Sequence, residues 1–396
     1  RKQGLSRTNE RYGVSLALLP DMNGDGVPEF AAGAPRDGSP ISGVVAISFM
    51  TSNFDHITHS LLQRGFAPLS GSNLLPSAAD FGTSLAYVGD LNNDQQPDLA
   101  VGAPSASARG DVYLVNLRAD GSAIHAVSLR GLLGTVEPQQ ALGLSVIPLM
   151  DRQRGGVPSL LVGAKNSLGA TDNRGALYLF HFSGPDPTAF AVAEQNMTAL
   201  HNTALIAASV PASPGSLFGW ALADLGDVDG SGTSTVLSIL PEHEQTPGTP
   251  SGMSVVMKIS ANVDTTVATC PAGMDFMQQL AQGEQLSRLA FCEREYGIRR
   301  RVTVKAAGFG LASQGGRFGT SVAYLGPNST REDTFVLALG GEDLFATSAD
   351  RGGYEVWHVT SGSDQATVGD RLDDTTLTGT VQGALIPSLG MGRCIV

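Results

Sequence analysis

The stretch YGVSLALLPDMNGDGVPEFAAGAP, residues 12–35, holds an aromatic-glycine pair, an acidic loop and an apolar run that stops at proline. Asp21, Asn23 and Asp25 alternate along the loop, which invites comparison with an EF-hand. That loop needs a bidentate glutamate at its twelfth position and helices on both sides. Counting from Asp21, the twelfth residue is Ala32, and the only nearby acid is Glu29 at the ninth. FAAGAP is short, apolar and ended by proline, which reads as a buried strand. The loop therefore joins two strands.

The same pattern returns along the chain, and a period of this kind governs the fold. FGTSLAYVGDLNNDQQPDLAVGAP (81–104) repeats every part of it, and LGLSVIPLMDRQRGGVPSLLVGAK (142–165) repeats most. Weaker copies are FGWALADLGDVDGSGTSTVLSIL (218–240) and FGTSVAYLGPNSTREDTFVLALGGE (318–342), and a sixth starts at LGMGRCIV (389–396). The glycine pairs begin at 12, 81, 142, 218, 318 and 389, so the units are 69, 61, 76, 100 and 71 residues long. After the second strand a glycine turn leads to a third, as in GVVAISF (43–49) and GDVYLVNL (110–117). A more polar fourth strand is expected before the next unit, as in SLLQRG (60–65) and VSLRG (127–131). Four antiparallel strands in each repeat of this length predict an all-β protein, a β-propeller with one blade per repeat.

These residues resemble FG-GAP repeats, which form the β-propeller at the head of integrin α subunits and of other surface proteins. The similarity runs from about residue 12 to 396, with five complete repeats and the start of a sixth. The resemblance implies seven blades when complete. The expectation is thus a single propeller over 1–396, truncated at its C-terminus, with an insertion at about 262–310 where no repeat signature is found. An open propeller leaves a sheet edge that missing sequence or a partner must cover.

In FG-GAP loops the resemblance implies calcium ligands at the first, third, fifth and ninth positions, with a backbone carbonyl at the seventh. Calcium takes six to eight oxygens, and alternating acids and amides on a hairpin supply them. The first loop would use Asp21, Asn23, Asp25, the Val27 carbonyl and Glu29; the second, Asp90, Asn92, Asp94, the Gln96 carbonyl and Asp98. Two structural calcium ions are therefore expected. The third loop keeps Asp151 but offers Gln153, Gly155 and Ser159 beside Arg152 and Arg154, so no metal is expected. The fourth, with Asp227, Asp229 and Ser231, is a weak site at best, and the fifth lacks its first aspartate.

Composition bounds the function. The 396 residues are 42% hydrophobic and only 16% charged, with 49 glycines and a formal net charge of −12. An acidic chain without a lysine or arginine run argues against nucleic acid. The one basic cluster, Arg299–Arg301, suits an edge strand. No stretch reaches the ~18 apolar residues of a membrane helix. The chain starts at Arg1, as expected of a processed or excised piece. Cys270 and Cys292 lie within the expected insertion, where a local disulfide competes with buried thiols, and Cys394 stands apart. Asn196 and Asn328 head glycosylation sequons.

Catalytic motifs are lacking. His56 and His59 are expected in a solvated connection, and there is no nucleophile elbow, H-E-x-x-H or P-loop. Trp220 and Trp357 are too few for a repeated sugar-binding platform. Arg109-Gly110-Asp111 spells an adhesion tripeptide, but Gly110 is the glycine that opens every third strand. The function expected is that of a non-enzymatic, extracellular or cell-surface calcium-binding propeller for adhesion or protein interaction, with a protein partner on the cell surface or matrix. Alternatives are a self-assembling subunit of an extracellular filament or coat, or an accessory propeller of a lipid- or polysaccharide-active enzyme.

Overall fold

A computed structural model describes residues 11–38, 41–53, 55–65, 75–92, 94–130, 141–150, 158–165, 175–181, 198–201, 215, 217–226, 234–241, 244–246, 249–250, 253–259, 298–305, 317–327, 334–342, 353–360 and 366–373. They build five four-stranded antiparallel sheets, each an up-and-down meander with its strands in chain order. The first holds β1 (Leu16–Leu18), β2 (Phe30–Ala34), β3 (Val44–Met50) and β4 (His56–Gln63). The second holds β5 (Ser84–Gly89), β6 (Asp98–Ala103), β7 (Asp111–Leu117) and β8 (Ala123–Ser128). The third comprises β9 (Leu142–Met150), β10 (Pro158–Ala164), β11 (Ala176–His181) and β12 (Thr198–His201).

In the fourth, β13 (Ala221–Gly226) and β14 (Ser234–Leu240) precede a small hairpin, β15 (Glu244–Thr246) with β16 (Thr249–Pro250). β17 (Met253–Ile259) and β18 (Ile298–Lys305) complete that sheet. The fifth is β19 (Arg317–Pro327), β20 (Thr334–Glu342), β21 (Gly353–Thr360) and β22 (Ala366–Asp373). These are the blades of a β-propeller.

Burial explains the strand order. β6 and β7 are buried at every residue, because sheets cover both of their faces. β4 is mostly half-exposed and lies at the outer edge, which suits its polar sequence. Leu19, Ile47, Leu99 and Tyr113 belong to the core between the first two blades; Val88, Leu114, Leu160 and Phe180 belong to that between the second and third. Phe81 meets Tyr113 edge-on in the first of these cores, with ring centroids 5.8 Å apart. The aromatics of the glycine pairs, Phe81 and Phe218, are fully buried against the preceding blade. Tyr12, which has no preceding blade among the described residues, is 47% exposed.

The glycines of the repeat are where one blade locks to the next. Ser15 donates its hydroxyl to the Gly82 carbonyl at 2.7 Å, and Ser84 and Ser145 do the same to Gly143 and Gly219 at 2.8 and 2.7 Å. Each bond passes over a glycine of the second strand. A Cβ on Gly33 would lie 2.0 Å from the Gly82 oxygen and 2.3 Å from Ser15 Oγ; Gly102 and Gly163 are equally crowded. Gly43, at φ +94°, forms a parallel bridge to Phe81 and leaves no room for a side chain. Gly110 and Gly175 bridge Leu142 and Phe218 in the same way. The fourth blade departs from this code: Ala221 pairs with Ile239 where serine pairs with glycine in the first three.

Two expectations need revision. His56 and His59 lie on the outer strand β4, with ring centroids 5.4 Å apart, not in a loop. β18, which carries Arg299–Arg301, is the outer strand of the fourth sheet, so the blade reclaims the end of the stretch expected as an insertion.

Candidate metal centre

Both acidic loops link the first and second strands of their blades, and both are wired by backbone amides to their own side chains. In the first loop Asp21 accepts from the amides of Gly24 and Asp25 through Oδ1, at 2.7 and 3.2 Å. Its Oδ2 accepts from Gly26 at 2.7 Å. Asn23 Oδ1 accepts from the Asp25 amide at 2.8 Å, and Asp25 Oδ1 from that of Val27 at 2.8 Å. Gly24 and Gly26, at φ +80° and +82°, let the loop curl around these oxygens. The Asp21 carboxyl is held below its ordinary range, chiefly by the Gly26 amide.

Glu29 closes the loop from beneath. It is fully buried, and its Oε2 accepts from the Met22 amide at 2.7 Å, while Oε1 is buried without a partner. Carboxylate oxygens of Asp21, Asp25 and Glu29 lie within 4.8 Å of one another. Burial raises the Glu29 pKa, and the charges of Asp21 and Asp25 add to the shift. A buried carboxylate with one oxygen unbonded, grouped with two further carboxylates, is an arrangement that a hard cation with oxygen ligands completes. The residues fit a divalent ion such as calcium: Asp21, Asn23, Asp25 and Glu29 would supply side-chain oxygens and Val27 its carbonyl.

The second loop follows the same plan with one difference. Asp90 accepts from the Asp94 and Gln95 amides at 3.0 and 2.7 Å, Asn92 from Asp94 at 3.2 Å, and Asp94 from Gln96 at 2.9 Å. Asp98, fully buried like Glu29, accepts from the Leu91 amide at 2.6 Å. Here, however, the side-chain nitrogen of Asn116 donates to Asp98 Oδ1 at 2.9 Å and to Asp94 Oδ2 at 3.0 Å. Burial still pushes the Asp98 pKa up to about 7, against the pull of Asn116 and the Leu91 amide. Among the described residues, three carboxylates gather within 4.8 Å at the first loop alone. Sequence reading could not find Asn116, which lies 18 positions beyond Asp98 and meets it only through the pairing of β6 with β7.

The other candidates divide between described and undescribed parts of the chain. Asp111 is 1% exposed and bound by the Val112 and Arg130 amides and the Ser128 hydroxyl, at 2.8, 3.0 and 2.6 Å. Burial raises its pKa. The tripeptide 109–111 therefore presents no free aspartate. Asp227, Asp229 and Ser231 of the fourth loop, Asn196, Asn328, Cys270, Cys292 and Cys394 lie outside the described residues.

Comparison with known proteins agrees with the repeat. The FG-GAP repeat model matches residues 12–48 and 81–115, the first three strands of the first two blades. Human integrin alpha-7 is 31% identical over 163 residues, 40% of this chain and 12% of that protein. Drosophila melanogaster integrin alpha-PS2 is 36% identical over 96 residues, 24% of this chain and 7% of that one. Human phosphatidylinositol-glycan-specific phospholipase D is 35% identical over 106 residues, 25% of this chain and 11% of the enzyme. The matched part of this chain thus spans about an eighth or less of these relatives. The periplasmic gluconolactonase PpgL of Pseudomonas aeruginosa superposes with a TM-score of 0.45 at 16% identity, covering 90% of this chain and 71% of that structure, a distance at which nothing transfers. The chain carries FG-GAP repeats at residues 12–48 and 81–115 and is similar over part of its length to integrin α subunits.

Proposed function

We propose that this chain is a calcium-stabilised, non-enzymatic propeller that recognises another protein outside the cell or at its surface. The observation that carries the metal is the buried, unpartnered Glu29 Oε1 beside the carboxylates of Asp21 and Asp25. Similarity to integrin α subunits supports the protein-binding role and the extracellular setting. A net charge of −12 favours a protein over a nucleic acid as the partner. No helix among the described residues is long and apolar enough to cross a membrane.

In the same reading, Cys270 pairs with Cys292, Asn196 and Asn328 carry glycans, and the 227–231 loop binds metal weakly. Intact-mass measurement before and after reduction and deglycosylation checks the first two. The metal is tested by melting the chain in millimolar calcium and in excess EDTA. A rise in melting temperature with calcium that Asp21→Ala diminishes supports the assignment, and equal melting in both removes it. The partner is sought by calcium-dependent capture on a panel of matrix and cell-surface proteins. Similarity to the phospholipase keeps a second reading open, an accessory propeller beside a catalytic domain. Cleavage of a phosphatidylinositol-glycan substrate by a longer form of the protein would favour that reading.

A further inference from the structure

The two loops share a plan but differ in what stands over the acid at their ninth position. Asp98 pairs directly with Asn116, and the amide of Asn116 spans Asp94 and Asp98. Gly33 pairs with Val45, and Gly102 pairs with Val112, so the blades align residue by residue. Continuing the first register by one step places Phe49 where Asn116 stands in the second blade. Phe49 is 5% exposed, belongs to the core between the blades and has no polar atom to offer. The consequence is visible in the acids. Asp98 has both oxygens bonded, whereas Glu29 has one buried oxygen with no partner.

An amide NH2 is a neutral donor with two hydrogens, and each one here meets a carboxylate. It partly offsets, from inside the protein, the repulsion that a cation would offset from solution. We propose that Asn116 stands in for the cation in the second loop, and that Phe49 leaves the first loop dependent on a bound divalent ion. The first loop is then the tighter calcium site, and the second is one whose buried acid already has both oxygens bonded, so that calcium enters only by displacing an internal donor. This inference rests on the calcium reading above.

The test isolates each loop. Asp90→Ala should leave most of the calcium-induced rise in melting temperature, and Asp21→Ala should remove most of it. In the Asp21→Ala background the remaining calcium response reports the second loop. There, Asn116→Leu removes the competing donor, so melting in EDTA falls while calcium, titrated calorimetrically, binds the second loop roughly tenfold tighter, since hydrogen bonds to charged groups are of that strength. Asn116→Ala, smaller and equally without a donor, should act in the same direction; it serves if the leucine variant does not fold.

An unchanged calcium affinity in these variants makes Asn116 a packing residue only and overturns the proposal. A weakened affinity makes it a calcium ligand and overturns it equally. A wild-type chain with no calcium heat and no shift removes the metal reading itself, and the proposal with it. A wild-type response carried equally by both loops removes the proposal alone.

Discussion

Gly33→Ala isolates the contact that joins the first two blades. Gly33 does not have a positive φ, so alanine suits its backbone and the whole cost is steric. The new Cβ would lie 2.0 Å from the Gly82 carbonyl oxygen and 2.3 Å from Ser15 Oγ. The hydroxyl can rotate away, at the expense of its 2.7 Å bond to the same carbonyl, a loss of about 1 kcal/mol. The carbonyl is backbone and moves only with the second blade, an overpacking cost of ~1–3 kcal/mol. Together these come to roughly 3 kcal/mol. With an unfolding entropy of ~2.1 cal/mol/K per residue, a 396-residue chain melting as one unit should lose about 4 °C.

The comparison variant is Gly65→Ala. Gly65 has φ +93° and open space around its Cβ position, so its cost is conformational alone, about 1–2 kcal/mol. Melting followed by calorimetry and tryptophan fluorescence, with guanidinium unfolding alongside, separates the two. Ser15→Ala should not rescue Gly33→Ala, since the carbonyl remains in place. If Gly33→Ala costs no more than Gly65→Ala, or if Ser15→Ala restores it fully, the close approach of the Gly82 carbonyl is not what demands glycine.

Ser84→Ala and Ser145→Ala should each cost ~1 kcal/mol through a lost buried hydrogen bond, and their effects should add, because they belong to different junctions; a double variant well off the sum would show that the junctions communicate. Calcium at about twenty times its dissociation constant should add ~2 kcal/mol by linkage, read as a rise in melting temperature that EDTA reverses. Asp111 has a raised pKa in the folded state, so the unfolded chain releases its proton first as pH rises. Its contribution is therefore full below about pH 4, the unfolded value, and is lost as pH rises through the folded value. Stability measured against pH in wild type and Asp111→Asn should show this extra acid-side gain only in the wild type. In an adhesion assay, Asp111→Ala should not alter attachment to cells, because Asp111 is already buried.

The fold was legible wherever one strand's residues record its surroundings. FAAGAP and LAVGAP are apolar throughout and almost wholly buried, and both are strands as expected. The gathering of Asp21, Asp25 and Glu29 was legible because the loop bonds to itself over at most seven residues. What could not be read depended on partners distant in the chain. Ser15 and Gly82 are 67 residues apart, and the clash that makes Gly33 obligatory exists only once two blades meet. Asn116 looks like any polar residue of a third strand until β6 pairs with β7. His56 and His59 misled because an outer strand is as polar as a loop.

The clasps and the acidic loops sit at opposite ends of the same strand. Ser84 starts β5 and takes hold of the next blade, while Asp90 follows its end and opens the acidic loop. At about 3.4 Å per residue the two are separated by ~20 Å. That distance makes each of the first three repeats a modular part with a fixed coupling and an interchangeable head. A loop grafted from the first blade onto the third, in place of residues 151–159, would bring its cluster of acids without disturbing the joint between blades.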